Sequence, residues 1–295
     1  MRLGYYPGCS MEGSSPEYGE SLLAVARHLD IHLHPIEDWN CCGASSAHAV
    51  NHDLGVALAA RNLSLAEEQG LDDVVAPCAA CYGRLAAARH QMARPDVRER
   101  VESITGHTYA GTVVVRNVLE VLAACTSLIR ESVSDALAGV KFACYYGCLL
   151  IRPPDVTRFD DPERPRTMEE IVRAAAGIPV SWTMATECCG AGLTMARTDS
   201  VLRLGRRILE AARAANAAAV VVACPMCHSN LDFRQEAMTR RGEAPMPVLF
   251  ITELVGLALG LQDEALGLQR HFVDTSAFAE ELRAASTGLK MGEGG

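Results

Sequence analysis

Ten of the chain's twelve cysteines spell one five-cysteine pattern twice: Cys9, Cys41-Cys42 and Cys78-x-x-Cys81, then Cys148, Cys188-Cys189 and Cys224-x-x-Cys227. The gaps nearly match, with 31 and 39 residues before the adjacent pair and 35 and 34 between that pair and the C-x-x-C. Flanking residues repeat too: Tyr-Tyr-Pro-Gly-Cys9 against Tyr-Tyr-Gly-Cys148, Cys-Cys-Gly43 against Cys-Cys-Gly190, and Val-Val-Ala-Pro-Cys78 against Val-Val-Ala-Cys224. A chain built this way must fold the same unit twice, each time bringing five thiols from three separate segments to one place. Its chemistry lies in whatever those thiols hold.

At 295 residues the chain can bury two cores of ordinary size. The repeat divides it into a first unit at 1–138, a second at 139–261, and a C-terminal helix with a flexible tail at 262–295. Acidic residues outnumber basic ones, 36 against 27, and no run of five Lys or Arg occurs, which argues against nucleic acid and anionic membrane surfaces as partners. The first nine residues reach a motif cysteine without a secretory pattern, so a cytoplasmic location is expected. The longest apolar stretch, Val248 to Leu261, contains Thr252 and Glu253 and is too short to span a bilayer. Many cysteines without an export signal point to reduced thiolates and metal ligation over a disulfide framework.

Each repeat reads as alternating strands and helices. Leu3–Tyr6 and Val140–Tyr145 lead into Cys9 and Cys148; helices follow at Pro16–Leu29 and Arg166–Ala176, where apolar residues recur every three or four positions. Short strands at Ile31–Ile36 and Val180–Met184 lead into each Cys-Cys-Gly, and helices at His52–Glu68 and Ser200–Ala215 lead on to strands Asp73–Ala76 and Ala218–Ala223, each delivering a C-x-x-C. The expected fold is α/β: two pseudo-twofold-related repeats, each a small, mostly parallel sheet with flanking helices, with the thiols at the carboxyl ends of the strands. Gly43 and Gly190 suit a tight turn after each adjacent pair. Arg152–Arg166, polar and proline-rich, reads as a long loop beside Cys148, and a last helix is expected at Thr275–Ala285 ahead of a flexible tail from Gly288.

Four thiolates complete a tetrahedral zinc, and four complete a cubane iron–sulfur cluster; five per repeat exceed both. A four-cysteine site with one spare thiol is the plainer alternative, but the spare recurs at the same place. The twofold Cys…Cys-Cys-Gly…Cys-x-x-Cys array resembles the cysteine-rich CCG domain pair of the B-type subunit of heterodisulfide reductase. The resemblance runs to about Leu261 and includes Tyr-Tyr-Gly-Cys148 followed by Arg-Pro-Pro and Phe-Asp-Asp-Pro. It implies two noncubane [4Fe–4S] clusters, one on Cys9, Cys41, Cys42, Cys78 and Cys81, the other on Cys148, Cys188, Cys189, Cys224 and Cys227. It further implies that a disulfide is cleaved or formed between the clusters, and that electrons come through an iron–sulfur C-type subunit and a flavin-containing A-type subunit. The related complexes of sulfur-metabolising bacteria fall within the same resemblance.

The remaining candidates are weaker. Cys125 ends the apolar run Val118–Ala124 and reads as a buried structural thiol; Cys144 competes with Cys148 as first ligand, and the repeat alignment favours Cys148. His48, His52 and His228 lie close to motif cysteines and are candidates for proton transfer, although Tyr82 occupies the position matching His228. Gly190-Ala-Gly192 has Met195 where a dinucleotide loop needs its third glycine, no G-x-x-x-x-G-K is present, and lysine occurs only at Lys141 and Lys290. No flavin or nicotinamide site is expected on this chain. Two other readings stand beside the catalytic one: an electron-transfer CCG subunit of a 2-hydroxy acid or glycerol-3-phosphate oxidising complex without its own substrate, and a zinc-stabilised assembly subunit.

Overall fold

The structure is a computed structural model that describes residues 1–44, 47–240 and 242–292. Strands β1 (Arg2–Tyr5), β2 (His32–Pro35), β3 (Asp73–Val75) and β4 (Val114–Arg116) form one sheet in the order β2-β1-β3-β4. Strands β5 (Lys141–Tyr145), β6 (Ile178–Pro179), β7 (Ala219–Val222) and β8 (Val248–Phe250) form a second in the order β6-β5-β7-β8. Every pairing is parallel. The inner strands read as apolar runs because helices cover both faces; all four residues of β7 are buried, as are Phe142 to Tyr145 of β5.

The repeat is thus an α/β unit present twice, as the alternating pattern predicts. Its strand order reverses between β1 and β3, and again between β5 and β7, and in such sheets the carboxyl ends at the reversal open a crevice. The first and third cysteine segments of each repeat leave the sheet at that point.

Several element boundaries follow local chemistry. The Pro16–His28 helix begins with proline at its first turn, where no amide proton is needed, and the Asn51 side chain caps the His52–Glu68 helix by accepting from Leu54 N at 3.0 Å. The expected strand at Val180–Met184 lies earlier, at Ile178–Pro179. It is an edge strand, its proline has no amide to donate, and after Val180 N bonds Phe142 O the chain leaves the sheet. The long loop after Arg152 contains a short helix, Pro154–Thr157. The last helix runs from Ser276 to Gly292, past the Ala285 end and over the start of the expected flexible tail, whose residues 293–295 lie outside the described residues.

The Val248–Leu261 stretch divides into β8 and the buried helix Ile251–Ala258, which packs on the Pro16–His28 helix of the first repeat. There Tyr18 stacks on Phe250 with ring centroids 4.1 Å apart, and the Ser21 and Thr252 hydroxyls hydrogen-bond at 2.7 Å. Tyr82 of the first repeat donates to Thr157 O at 2.8 Å, tying the long loop to the opposite repeat. Among the described residues no helix is long and apolar enough to cross a membrane.

Candidate metal centre

Cys9 follows β1 after the Pro7-Gly8 turn and sits at the N-terminus of the Ser10–Ser14 π-helical turn. Cys78 caps the Ala79–Gln91 helix, placing Cys81 in its first turn; in the second repeat Cys224 caps the Pro225–Leu231 helix with Cys227 in the same place. The positive end of a helix favours negative charge, so these positions suit thiolates. Gly8 and Gly147 adopt φ of +64° and +65°, and a Cβ there would stand 3.1 Å from Cys81 Sγ and 3.0 Å from Cys227 Sγ. Gly43 and Gly190, at φ +74° and +82°, make the turns after the adjacent pairs.

Within each set thiols meet in pairs. Cys42 and Cys81 share an S–H···S hydrogen bond of 3.3 Å, Cys189 and Cys227 one of 3.6 Å, and Cys148 and Cys188 one of 3.9 Å. The hydrogen bond with Cys81 holds Cys42 down to about 7, and the one with Cys148 holds Cys188 down to about 6, helped by the amides of Gly190 and Ala191. Their partners Cys81 and Cys148 are pushed correspondingly up. The two sets also approach each other at Cys78 and Cys224, whose mutual influence raises Cys78 and lowers Cys224.

Burial divides both sets the same way. Cys42, Cys78 and Cys81 are buried, as are Cys189, Cys224 and Cys227, whereas Cys9, Cys41 and Cys188 are exposed and Cys148 is half-buried. Each site has a dry floor made by the C-x-x-C and the second cysteine of the pair, and a rim open to solvent. Among the described residues, one trio of ligating side chains has its ligand atoms all within 4.8 Å of one another, and it contains no thiol. A tetrahedral zinc with bonds of 2.3 Å needs sulfurs roughly 3.8 Å apart. The thiols approach in pairs and not as one tetrahedral set, and the five of each repeat offer one donor more than such an ion takes, which suits a multinuclear group.

Supports absent from the cysteine pattern complete the sites. Tyr6 Oη donates to Asn40 O at 2.8 Å and Tyr145 Oη to Glu187 O at 2.6 Å, so in each repeat a tyrosine three residues before the first cysteine pins the carbonyl just before the adjacent pair. The chain's two tryptophans, Trp39 and Trp182, pack against these rings at 5.5 and 6.2 Å. Both tyrosines repeat in the sequence, and that was the available signal. Asn230 Nδ2 donates to Cys189 O at 3.2 Å and lies 3.7 Å from Cys189 Sγ. Its counterpart three residues after Cys81 is Arg84, whose charge lowers Cys42.

The other candidates lie apart from the thiols. Cys144 is fully buried inside β5, and burial pushes its thiol well up; Cys125, also buried, precedes the Thr126–Ser132 helix. His228 is buried against Phe250 with ring centroids 4.2 Å apart, and its Nε2 bonds Val248 O at 3.0 Å. His48 and His52 line a cavity of about 200 Å³ with Arg84.

Fold and thiols together define a duplicated cysteine-rich α/β protein. The chain belongs to the family of the CCG cysteine-rich domain, whose model matches it twice, at residues 3–86 and 142–232. It is 32% identical over 279 residues, 93% of its own length and 98% of the relative's, to the 8-methylmenaquinol:fumarate reductase membrane anchor subunit of Wolinella succinogenes. It is 28% identical over 301 residues, 98% of its length and 99% of the relative's, to the B-type subunit of the ferredoxin/F(420)H(2)-dependent CoB-CoM heterodisulfide reductase of Methanosarcina acetivorans. A crystal structure of a hypothetical protein from Helicobacter pylori shares the fold, with a TM-score of 0.72 at 11% identity over 94% of this chain; the chain spans 52% of that one.

Proposed function

We propose that the chain is the iron–sulfur redox subunit of a heterodisulfide reductase-like complex, binding one noncubane [4Fe–4S] cluster on each five-cysteine set and cleaving or forming a disulfide between them. The observation that carries this reading is the electrostatic coupling of Cys78 to Cys224, one thiol from the floor of each site. Cleaving R–S–S–R′ consumes two electrons and two protons and yields two thiols. When bound, two clusters supply one electron each and iron sites that capture the separating sulfurs. The chain sets Cys78, Cys81, Cys224 and Cys227 at helix N-termini, excludes water from the floor with these and buried Cys42 and Cys189, and leaves the rims at Cys9, Cys41, Cys148 and Cys188 open for the disulfide. Electrons pass to or from an iron–sulfur C-type subunit and, through it, a flavin-containing A-type subunit, in the cytoplasm. Relatives whose names place them in heterodisulfide reductases support this.

A second reading, a relay subunit without its own substrate, is favoured by the relative named as part of a fumarate reductase. One anaerobic preparation tests both. Reconstituted protein is expected to hold about eight iron and eight acid-labile sulfide, two four-iron clusters. Zinc in place of iron with no sulfide rejects the proposal. A new paramagnetic signal on adding thiols or disulfides, without any partner subunit, supports catalysis, whereas unresponsive clusters across a panel that includes protein-bound lipoate leave the relay.

A further inference from the structure

Beneath the second thiol site lies a buried polar cluster that the disulfide chemistry does not use. His228 and Asp232 stand four residues apart at the end of the Pro225–Leu231 helix, and His271 meets them from the C-terminal segment; the three offer ligand atoms all within 4.8 Å of one another. The His271 and Glu253 side chains are both 0% exposed and hydrogen-bond Nε2 to Oε1 at 2.9 Å. His271 Nδ1 is buried with no hydrogen-bond partner.

The tautomers follow from the acceptors. Val248 O can only accept, so His228 Nε2 carries the proton and Nδ1 holds the lone pair. The Glu253 carboxylate likewise takes the Nε2 proton of His271, leaving Nδ1 with its lone pair and no partner. An imidazole whose one nitrogen donates to a carboxylate or carbonyl while the other stands free is the arrangement of a metal-bound histidine; His271 has it in full, and His228 has its first half. Asp232 is itself oriented, accepting from Phe272 N at 2.8 Å and Val273 N at 3.1 Å, with lone pairs remaining for a further bond. Charge points the same way. Asp232 and Glu253 are buried together, and the neighbouring Arg270 is engaged with Glu20 at the surface. Buried carboxylates without a cation are costly, and a divalent ion offsets them.

We propose that His228, Asp232 and His271 hold one divalent transition-metal ion, separate from the thiol sites. Two imidazoles and a carboxylate are the donors of zinc and its borderline neighbours, whereas calcium and magnesium take oxygens. Ligands on a tetrahedral ion at about 2.0 Å stand roughly 3.3 Å apart, so small rotations of the two rings close the set, with water in the fourth position. The ion ties the helix that carries Cys227 to the C-terminal segment beyond Leu268.

The test uses the full chain with its iron and sulfide complement restored anaerobically, then incubated with Zn²⁺ and desalted. About one zinc is expected to remain, its X-ray absorption showing nitrogen and oxygen near 2.0 Å and no sulfur near 2.3 Å. His271→Gln and Asp232→Asn are each expected to weaken zinc binding at least tenfold while keeping iron content and circular dichroism. A zinc shell of sulfur overturns the proposal, as does no retained zinc in iron-replete protein, or equal zinc in parent and variants. If the variants fail to fold, the ligand shell of zinc in the parent decides alone.

Discussion

Arg84 and Asn230 occupy the same step of the two repeats, three residues after each C-x-x-C, and both act on the second cysteine of the adjacent pair: Arg84 through its charge on Cys42, Asn230 through an amide 3.7 Å from Cys189 Sγ. Two sites alike in their thiols therefore differ in their nearest charge. A fixed cation favours the state carrying the extra electron, so the first site is expected to have the higher reduction potential. Arg84→Gln should lower that potential by an amount on the order of tens of millivolts and leave the second nearly unchanged. A redox titration followed by paramagnetic resonance measures it, and an unmoved first potential refutes the assignment.

Gly8 and Gly147 admit the C-x-x-C sulfurs from the opposite side of each site. Gly147→Ala adds a carbon 3.0 Å from Cys227 Sγ at a left-handed φ of +65°, which costs about 1–2 kcal/mol in backbone strain before any clash. The expected result is loss of about half the iron, and Gly8→Ala should remove the other half. Iron and sulfide analysis of both variants reads this directly.

Exposure predicts a two-class reactivity. In metal-free protein, alkylation followed by mass spectrometry should label Cys9, Cys41 and Cys188 first, Cys148 next, and the six floor thiols with Cys125 and Cys144 last. Cys188, held down to about 6, should remain reactive below neutral pH, where ordinary thiols are protonated. Rapid labelling of Cys144 in folded protein contradicts the burial.

Much of this was legible in advance because period and spacing are local. The Pro16–His28 and His52–Glu68 helices and the strands before each C-x-x-C emerge from apolar periodicity, and the repeat itself forecasts two parallel sheets. β4 and β8 were missed because three-residue strands merge with the apolar helices that follow them: Val248–Phe250 runs without punctuation into Ile251–Ala258. β6 was placed late because a two-residue edge strand leaves almost no pattern. Contacts between distant segments were beyond reach. Nothing near His271 in the sequence indicates Glu253 or Asp232, and the tyrosines at 6 and 145 show a role only once their hydroxyls meet the carbonyls of Asn40 and Glu187.

Glu17 gives a pH test away from the thiols. Burial, with Glu253 nearby, raises it from 4.5 to about 7. Because the folded value lies above the unfolded one, the folded chain keeps a proton that the unfolded chain has released between these values. The stability linked to neutral Glu17 is full below about 4.5 and is lost as pH climbs toward about 7. Glu17→Gln should therefore stabilise the protein more at pH 8 than at pH 5, measured by denaturant unfolding of both proteins at each pH. A constant difference across that range removes Glu17 as the cause.

A duplicated gene begins as two copies that can each stand alone, and here that independence is gone. With Tyr18 lying flat on Phe250 and Ser21 bonded to Thr252, cutting the chain between its halves would strand an aromatic face and a buried hydroxyl on each side. Either repeat alone would leave that face open to water, so the stability of each half is tied to the other and a change on one side of the seam is felt by both.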